Sequence, residues 1–466
     1  MIPLSMTRIL AEFVTGTRFE DIPHAVSHEG KRVLMDSVGC AIAGVDTDKG
    51  RASLEVAGAL GGPPEASVIG TGHQLSAAAA AFANGETINA QDFDAILRPA
   101  VHVTPWAIPA AMGTSERVSG SGRELLVAII LAHELSNRLA KAMPTGDRRT
   151  APTVSGYSFN TLSAAAVAAR ILGLDTDGVA NAIAVASYNA PVASYAAWEQ
   201  SGTSALIKYG SAGWVAQTGV VCAMLASAGY SGDLAGLDGE HGFWRRSGAT
   251  SWRPEALLDG LGEQWEISDV RYKRYPCCGI THSALDAFTS LMSDHELRAD
   301  EIDEVRVWLD PTVELPLWQD RSVGDEVRAQ FSVAYNIAVA AHASIPCRAW
   351  LAVETRNDPG VRSFMDKVEV FALAEFDDAA AHDRAAQLAR VEIKACGTSL
   401  VRENRYASGR ASPQHEPFSD DTIENKFRDN ARGCLTADRI DRLADGLWNL
   451  ESVQNVSTLM AFARTG

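Results

Sequence analysis

From Leu4 to about Ser251, apolar positions recur at helical rather than alternating spacing, in a stretch rich in alanine and leucine with few β-branched runs. Leu125, Leu126, Ile129, Ile130 and Ala132 follow a Ser121-Gly122 break and predict an amphipathic helix. Thr161 to Leu172 reads as an Ala-rich helix ended by Gly173, and Thr176 as the cap of another running through Ala186. Ser76 is the expected cap of a shorter helix, Ala77 to Ala83, ended by Asn84-Gly85. Alanine faces let helices approach closely, so this half predicts the interior of a large bundle.

The texture changes near Trp265. Residues Glu266 to Tyr272 read as a strand, Gly279 to Met292 as a helix, and Glu304 to Leu309 as an alternating strand. Phe331 to Ala343 is helical again, and Val368 to Ala372 and Ala389 to Ala395 are further strands. With Ser419 or Asp420 as its cap, Thr422 to Asn430 is helical once more, in a tail too short to fold alone. The expected fold is mainly α. A large all-helical domain is built from both chain ends (residues 1–265 and 401–466), and a smaller α+β domain (266–400) is inserted between them.

Composition narrows the partners. The 466 residues exceed one ordinary hydrophobic core, and 46% hydrophobic with 21% charged is usual for a globular protein. A net charge of −17 repels nucleic acid and anionic membrane surfaces, so neither is an expected partner, and an anionic ligand needs a local basic pocket. No apolar run approaches the ~20 residues that span a bilayer. No signal-like stretch occurs at the N-terminus, and the seven scattered cysteines suit a reducing compartment. A cytoplasmic location is the expectation.

Several chemical signatures are missing. There is no Gly-x-x-x-x-Gly-Lys-Ser/Thr loop, and Gly70-Thr71-Gly72 lacks the third glycine and following βαβ unit of a dinucleotide site. His133-Glu134 has no second histidine four residues after the first, so no zinc helix is predicted. No cofactor and no metal are signalled. Three segments stand out instead. Asn84 to Asp94 leads into Arg98 and His102, crowding Asp92, Asp94, an arginine and a histidine together. Lys208-Tyr209 precedes Gly210-Ser211-Ala212-Gly213. Lys273-Arg274-Tyr275-Pro276-Cys277-Cys278 runs on to His282. Taken singly, each also fits an ordinary role: capping or solvated carboxylates, a satisfied buried histidine, surface lysines, packed cysteines.

Together these segments resemble the MmgE/PrpD family across nearly the whole chain. The matching stretches are Asn84 to Asp94, Lys208-x-Gly-Ser-Ala-Gly-x-x-Ala, Lys273-x-Tyr-Pro-Cys-Cys-x-x-Thr-His, Gln330-Phe-Ser-Val-Ala-Tyr, and Pro417 with Lys426-Phe427. The family includes 2-methylcitrate dehydratase, cis-aconitate decarboxylase and iminodisuccinate epimerase. The resemblance implies a cleft between the two domains, a homodimer, and catalytic positions at Asp92, His102, Lys208 and Lys273. Two departures stand out. A His-Pro-Thr-Gly-like segment is replaced by Ala151 to Asn160 without histidine, and the family's Asp-Asp-Thr followed by histidine becomes Asp94-Ala95-Ile96 followed by Arg98.

Abstracting a proton beside a carboxylate adds charge to an anionic substrate, and cations must absorb it. At an effective dielectric near 20, one cation at ~4 Å is worth roughly 4 kcal/mol. Lys208, Lys273 and Arg98 are the candidates, with Arg98 as a bidentate carboxylate clamp. His102 is the expected base, with Asp92 as partner or alternate. Tyr157, Tyr209, Arg274 and His282 are the further expected substrate-binding residues. The leading expectation is a cofactor-free lyase dehydrating a small di- or tricarboxylate, like 2-methylcitrate dehydratase. Epimerisation, decarboxylation and a non-catalytic binding protein for small acids remain alternatives.

Overall fold

The computed structural model describes residues 5–145, 157–192, 195–342, 345–383 and 385–465. Among the described residues of the first half are ten α-helices: α1 (Met6–Gly16), α2 (His24–Gly44), α3 (Asp48–Leu60), α4 (Ala77–Asn89), α5 (Thr104–Arg117), α6 (Gly122–Ala142), α7 (Asn160–Ile171), α8 (Thr176–Asn189), α9 (Tyr195–Ser201) and α10 (Ala212–Ser227). Ser76 caps α4 as expected, accepting from the Ala79 amide, and Ser121, at the expected break, caps α6 by accepting from Glu124. Asp175, one residue before the expected Thr176, caps α8 by accepting from Gly178.

Helix α4 continues past Asn84-Gly85 to Asn89, and the reason is local. The Asn84 side chain accepts from the Ile69 amide and donates to the Ser67 carbonyl, so it does not compete for its own helix's hydrogen bonds. Gly85 is required by packing: a Cβ there would lie 2.8 Å from the Pro105 carbonyl and 3.1 Å from Gly213. Helices α4, α5 and α10 therefore meet nearly backbone to backbone, and the end of α4 lies beside the loop that precedes α10.

The sequence from Ile302 forms a four-stranded sheet in the order β4–β3–β5–β6: β3 (Ile302–Leu309), β4 (Val368–Ala372), β5 (Ala389–Ala395) and β6 (Thr398–Asn404). β3 runs parallel to β4 and antiparallel to β5, with Val307 paired to Val370 on one side and Val391 on the other. A separate two-stranded ribbon joins β1 (Ala66–Ser67) to β2 (Gln74–Leu75). β5 buries Ala389, Val391, Ile393 and Ala395 on one face, against helix His282–Asp294. β6 crosses residue 400, the expected domain edge, to pair along all of β5.

The expected strand from Glu266 to Tyr272 does not form. Glu266–Asp269 is a 3-10 turn, because Glu266 is tied to α6: its carboxylate accepts from Asn137 and Lys141, each at 2.6 Å, and its amide bonds Glu134. Only Arg271 makes a strand-like exchange, with Ile96.

Buried apolar side chains gather into two large clusters. One joins α1, α2 and α5–α8 to the tail helices Asp420–Ala431, Ala437–Trp448 and Val456–Met460. The other surrounds the sheet and takes in Trp106, Trp198 and Tyr209. The tail helix Asp420–Ala431, capped by Ser419 as expected, packs along α2, where Lys426 pairs with Asp36 at 2.7 Å and donates to the Phe93 carbonyl. Among the described residues no helix is long and apolar enough to cross a membrane.

Candidate active site

Three residues beyond the end of α4, Asp92 takes up the left-handed conformation with φ 52°. Its carboxylate is buried and surrounded. Oδ2 accepts from Lys273 Nζ at 2.7 Å, and Oδ1 accepts from the Tyr209 hydroxyl at 2.6 Å. Lys208 Nζ lies 3.7 Å and His102 Nε2 3.8 Å from Oδ1. Lys273 also donates to the Asp92 carbonyl, and Lys208 to the Asn89 carbonyl, each at 2.6 Å. Chain segments far apart in sequence thus converge on one carboxylate.

Histidine 102 sits just before α5. Its Nδ1 is 2.6 Å from Asp94 Oδ2, which Thr104 also approaches at 3.2 Å. Asp94 therefore fixes the ring and leaves Nε2 toward Asp92 and the cavity. The Tyr209 ring stacks on the imidazole at 4.8 Å, and the Tyr157 ring meets it edge-on at 5.7 Å.

Strain concentrates here. Asp92, Val101, Tyr157 and Lys208 all have positive φ, near 50–60°, a region costly for non-glycine residues and above all for β-branched Val101. Such backbone persists only where the surrounding contacts over-determine it.

The electrostatics divide the charged groups by role. Burial works to raise the Asp92 carboxyl, but Lys273 and Lys208 outweigh it and hold the group well below the usual carboxylate range. Burial opposes the Lys273 charge, yet Asp92 and Asp94 raise it. For Lys208 burial wins over the attraction of Asp92 and pulls the ammonium down to about 7. Burial and the neighbouring Asp92 push the Tyr209 hydroxyl well up, so it stays a proton donor.

A cavity of about 250 Å³ opens onto this cluster, with Asp92, His102, Lys273, Tyr157, Tyr209 and Arg98 on its polar side. Ile96, Val101, Ile280 and Phe331 make an apolar wall. Not every expected residue reaches it. Lys208 is fully buried and touches the site through Asp92. Arg274 is exposed, lies over the Tyr275 ring, and borders a different cavity near Lys426. His282 is buried behind the turn, 3.3 Å from the Cys277 carbonyl, where burial lowers its basicity strongly. Arg274 and His282 therefore do not line this cavity; the loop after the Arg271–Ile96 bridge carries Lys273 inward and turns its neighbour outward. Of the segment Ala151 to Asn160, residues 151–156 lie outside the described residues.

Asp94, Asn89 and Gln330 are structural members of the site that sequence reasoning left unassigned. Asn89 donates to the Tyr209 hydroxyl, and Gln330 donates to the Ala90 carbonyl at 2.8 Å. The Asp-Phe-Asp motif placed Asp94 two residues from Asp92, and that closeness was the available signal for it.

Asp92, Asp94 and His102 present ligand atoms within 4.8 Å of one another, a spacing a metal ion would accept. The charges around them do not fit one. The Lys273 ammonium already occupies Asp92 at 2.7 Å, with Lys208 behind, so a divalent cation would be repelled by two ammonium groups.

Residues 8–253 match the MmgE/PrpD N-terminal domain and residues 275–450 the MmgE/PrpD C-terminal domain. The chain is 25% identical to a cis-aconitate decarboxylase-like protein, oryM, of Aspergillus oryzae, over 98% of this chain and 97% of that protein. It is 23% identical to a cis-aconitate decarboxylase of Aspergillus terreus (98% and 95% covered) and 26% identical to that of Homo sapiens (98% and 94%). The chain belongs to the MmgE/PrpD family of enzymes.

Proposed function

We propose that this enzyme is a cofactor-independent lyase acting on a small di- or tricarboxylate, and that the bond it breaks is carbon–carbon: a decarboxylation. The observation that carries this reading is the division of labour between His102 and Asp92. Asp92, held anionic by two lysines, is a poor base. His102, oriented by Asp94, offers one proton-transfer atom at the cavity. Decarboxylation needs no base. The departing carboxylate leaves as CO₂ with the bonding pair left on carbon, and His102 protonates that carbon. Lys273 and Arg98 hold the remaining carboxylates, while the leaving group faces the apolar wall of Ile96, Val101, Ile280 and Phe331, where its charge is poorly solvated. Lys208 tunes the site through Asp92. The named decarboxylases among the relatives favour the same choice over the dehydration expected from sequence. Dehydration would need a second acid–base group, which Tyr157 beside His102 would have to supply.

The test is turnover of cis-aconitate and related di- and tricarboxylates in D₂O, followed by NMR and CO₂ release. Stoichiometric CO₂ with one deuterium entering the product is expected. In His102→Gln turnover should vanish while a non-reacting tricarboxylate still binds. Water loss without CO₂ would establish dehydration instead. Ligand binding without any turnover in the wild type would leave a binding protein.

The site lies, on this reading, in a cleft between a helical domain (1–265 with 401–466) and the α+β unit (266–400). We assign the homodimer contact to the outer face of α10, where Trp214, Val221 and Met224 are exposed at helical spacing. Trp214→Glu should sediment as a monomer. Seven free cysteines support a reducing, cytoplasmic setting.

A further inference from the structure

Beside the His102 cavity lies a second one of about 280 Å³, and Ile96 and Arg98 line both. Its other cations are Arg271 and Arg410. Arg271 is 9% exposed, yet its described partners are all neutral: the Gln387 side-chain oxygen and, at 3.5 Å, the Gly279 carbonyl. Its Nε–H meets no acceptor among the described residues. Both carboxylates that line this cavity already have partners other than Arg271. Asp269 pairs with Arg410 at 3.5 Å, and Asp383 accepts from the Tyr406 hydroxyl at 2.6 Å. A buried guanidinium with no carboxylate in direct contact is costly: burial together with Arg98 pulls that of Arg271 down to about 9, outweighing the attraction of Asp286. An acid with three cations around it would remove that cost.

We infer that the Arg98–Arg271–Arg410 cavity is an anion-binding subsite that takes a carboxylate or phosphate group next to the His102 cavity. The guanidinium of Arg271 supplies a planar fork suited to either oxyanion. Its position is set from behind: a Cβ on Gly279 would meet Arg271 Nη2 at 2.8 Å, so the glycine that lines the first cavity makes room for the arginine of the second. The occupant is either a distal carboxylate of the substrate or a separate small anion. Only the first of these rests on the lyase reading.

Calorimetric titration at low ionic strength tests the subsite with two probes, inorganic phosphate and the saturated acid propane-1,2,3-tricarboxylate. The wild type should bind phosphate, and Arg410→Gln should bind it about tenfold more weakly, the size of one charge-assisted contact. Arg271→Gln should weaken it further. Should that buried substitution fail to fold, the half-buried Arg410 still decides, since it lines the second cavity alone. No phosphate binding at millimolar concentration, or equal binding by wild type and Arg410→Gln, overturns the proposal. If saturating tricarboxylate excludes phosphate, the substrate's own carboxylate fills the subsite; if both bind together, a separate anion does, and either result supports it. Phosphate binding in a protein that turns over no carboxylate would sink the lyase reading and leave the subsite standing.

Discussion

Replacing Lys273 with methionine keeps most of the length of the side chain and removes one charge from the pair at the centre of the site. The ammonium lies 2.7 Å from Asp92 Oδ2, an attraction of about 6 kcal/mol at an effective dielectric of 20. Lys208, at 3.7 Å from the other oxygen, contributes about 4–5 kcal/mol on the same scale. Part of each is returned when the buried ammonium is no longer desolvated, so breaking the Lys273 pair should cost ~3–5 kcal/mol of stability. Lys208→Met should cost clearly less, because burial already outweighs Asp92 at that ammonium. Urea unfolding of Lys273→Met, Asp92→Asn and the double variant measures the pair, and a coupling of ~2 kcal/mol or more is expected. Turnover of Lys273→Met should fall at least ~100-fold. The ranking is pH-dependent. The Lys208 ammonium, held at about 7 in the fold, opposes folding fully below that pH and is relieved as pH rises toward its unfolded value, so wild type gains on Lys208→Met between pH 7 and 10. A Lys273→Met protein within 1 kcal/mol of wild type, or additive effects in the double variant, would refute the reasoning.

Asp94→Asn removes the anion that orients His102; kcat should drop ~10²–10⁴-fold with binding of a non-reacting tricarboxylate little changed, and wild-type turnover would dismiss the pairing. Burial pushes the Glu116 carboxyl up to about 7, so its protonated form favours the fold at low pH and that advantage is lost as pH rises through 7. Glu116→Gln, still able to accept from the Ser67 amide, should be more stable than wild type at pH 8 by about 1–3 kcal/mol and not at pH 4; a pH-independent difference in Tm would contradict this. Chelator treatment should leave activity unchanged, and stoichiometric iron or zinc lost together with activity would overturn that expectation.

What the chain declared in advance follows from how local each signal is. Helix caps at Ser76 and Ser419, the break before α6 and the alternation of β5 depend on neighbours a few residues away, and they were legible. The supposed strand at Glu266 was not, because its polar groups are satisfied by α6, more than a hundred residues earlier. The motifs named Asp92, His102, Lys208 and Lys273, but not that Lys208 would stand behind Asp92 rather than at the cavity wall. Nor did they separate Lys273 from Arg274, adjacent in sequence and opposite in direction. Both lysines lie in short loops, which suggests exposure, whereas both are buried to within 2%. Substituting them therefore bears on stability as well as on chemistry.

The convergence on Asp92 also sets the order in which the molecule becomes functional. Lys273 reaches a carboxylate 181 residues away, and Tyr209 one 117 residues away, so no single segment holds a working fragment. Local helices form in microseconds, but contacts of this span must wait for the entropy of closing large loops to be overcome. During refolding the helical signal should return well before catalysis does, and the interval belongs to a compact, largely helical species with two unpaired lysines and an uncovered apolar wall. Such a species is the one most exposed to aggregation and to chaperone capture.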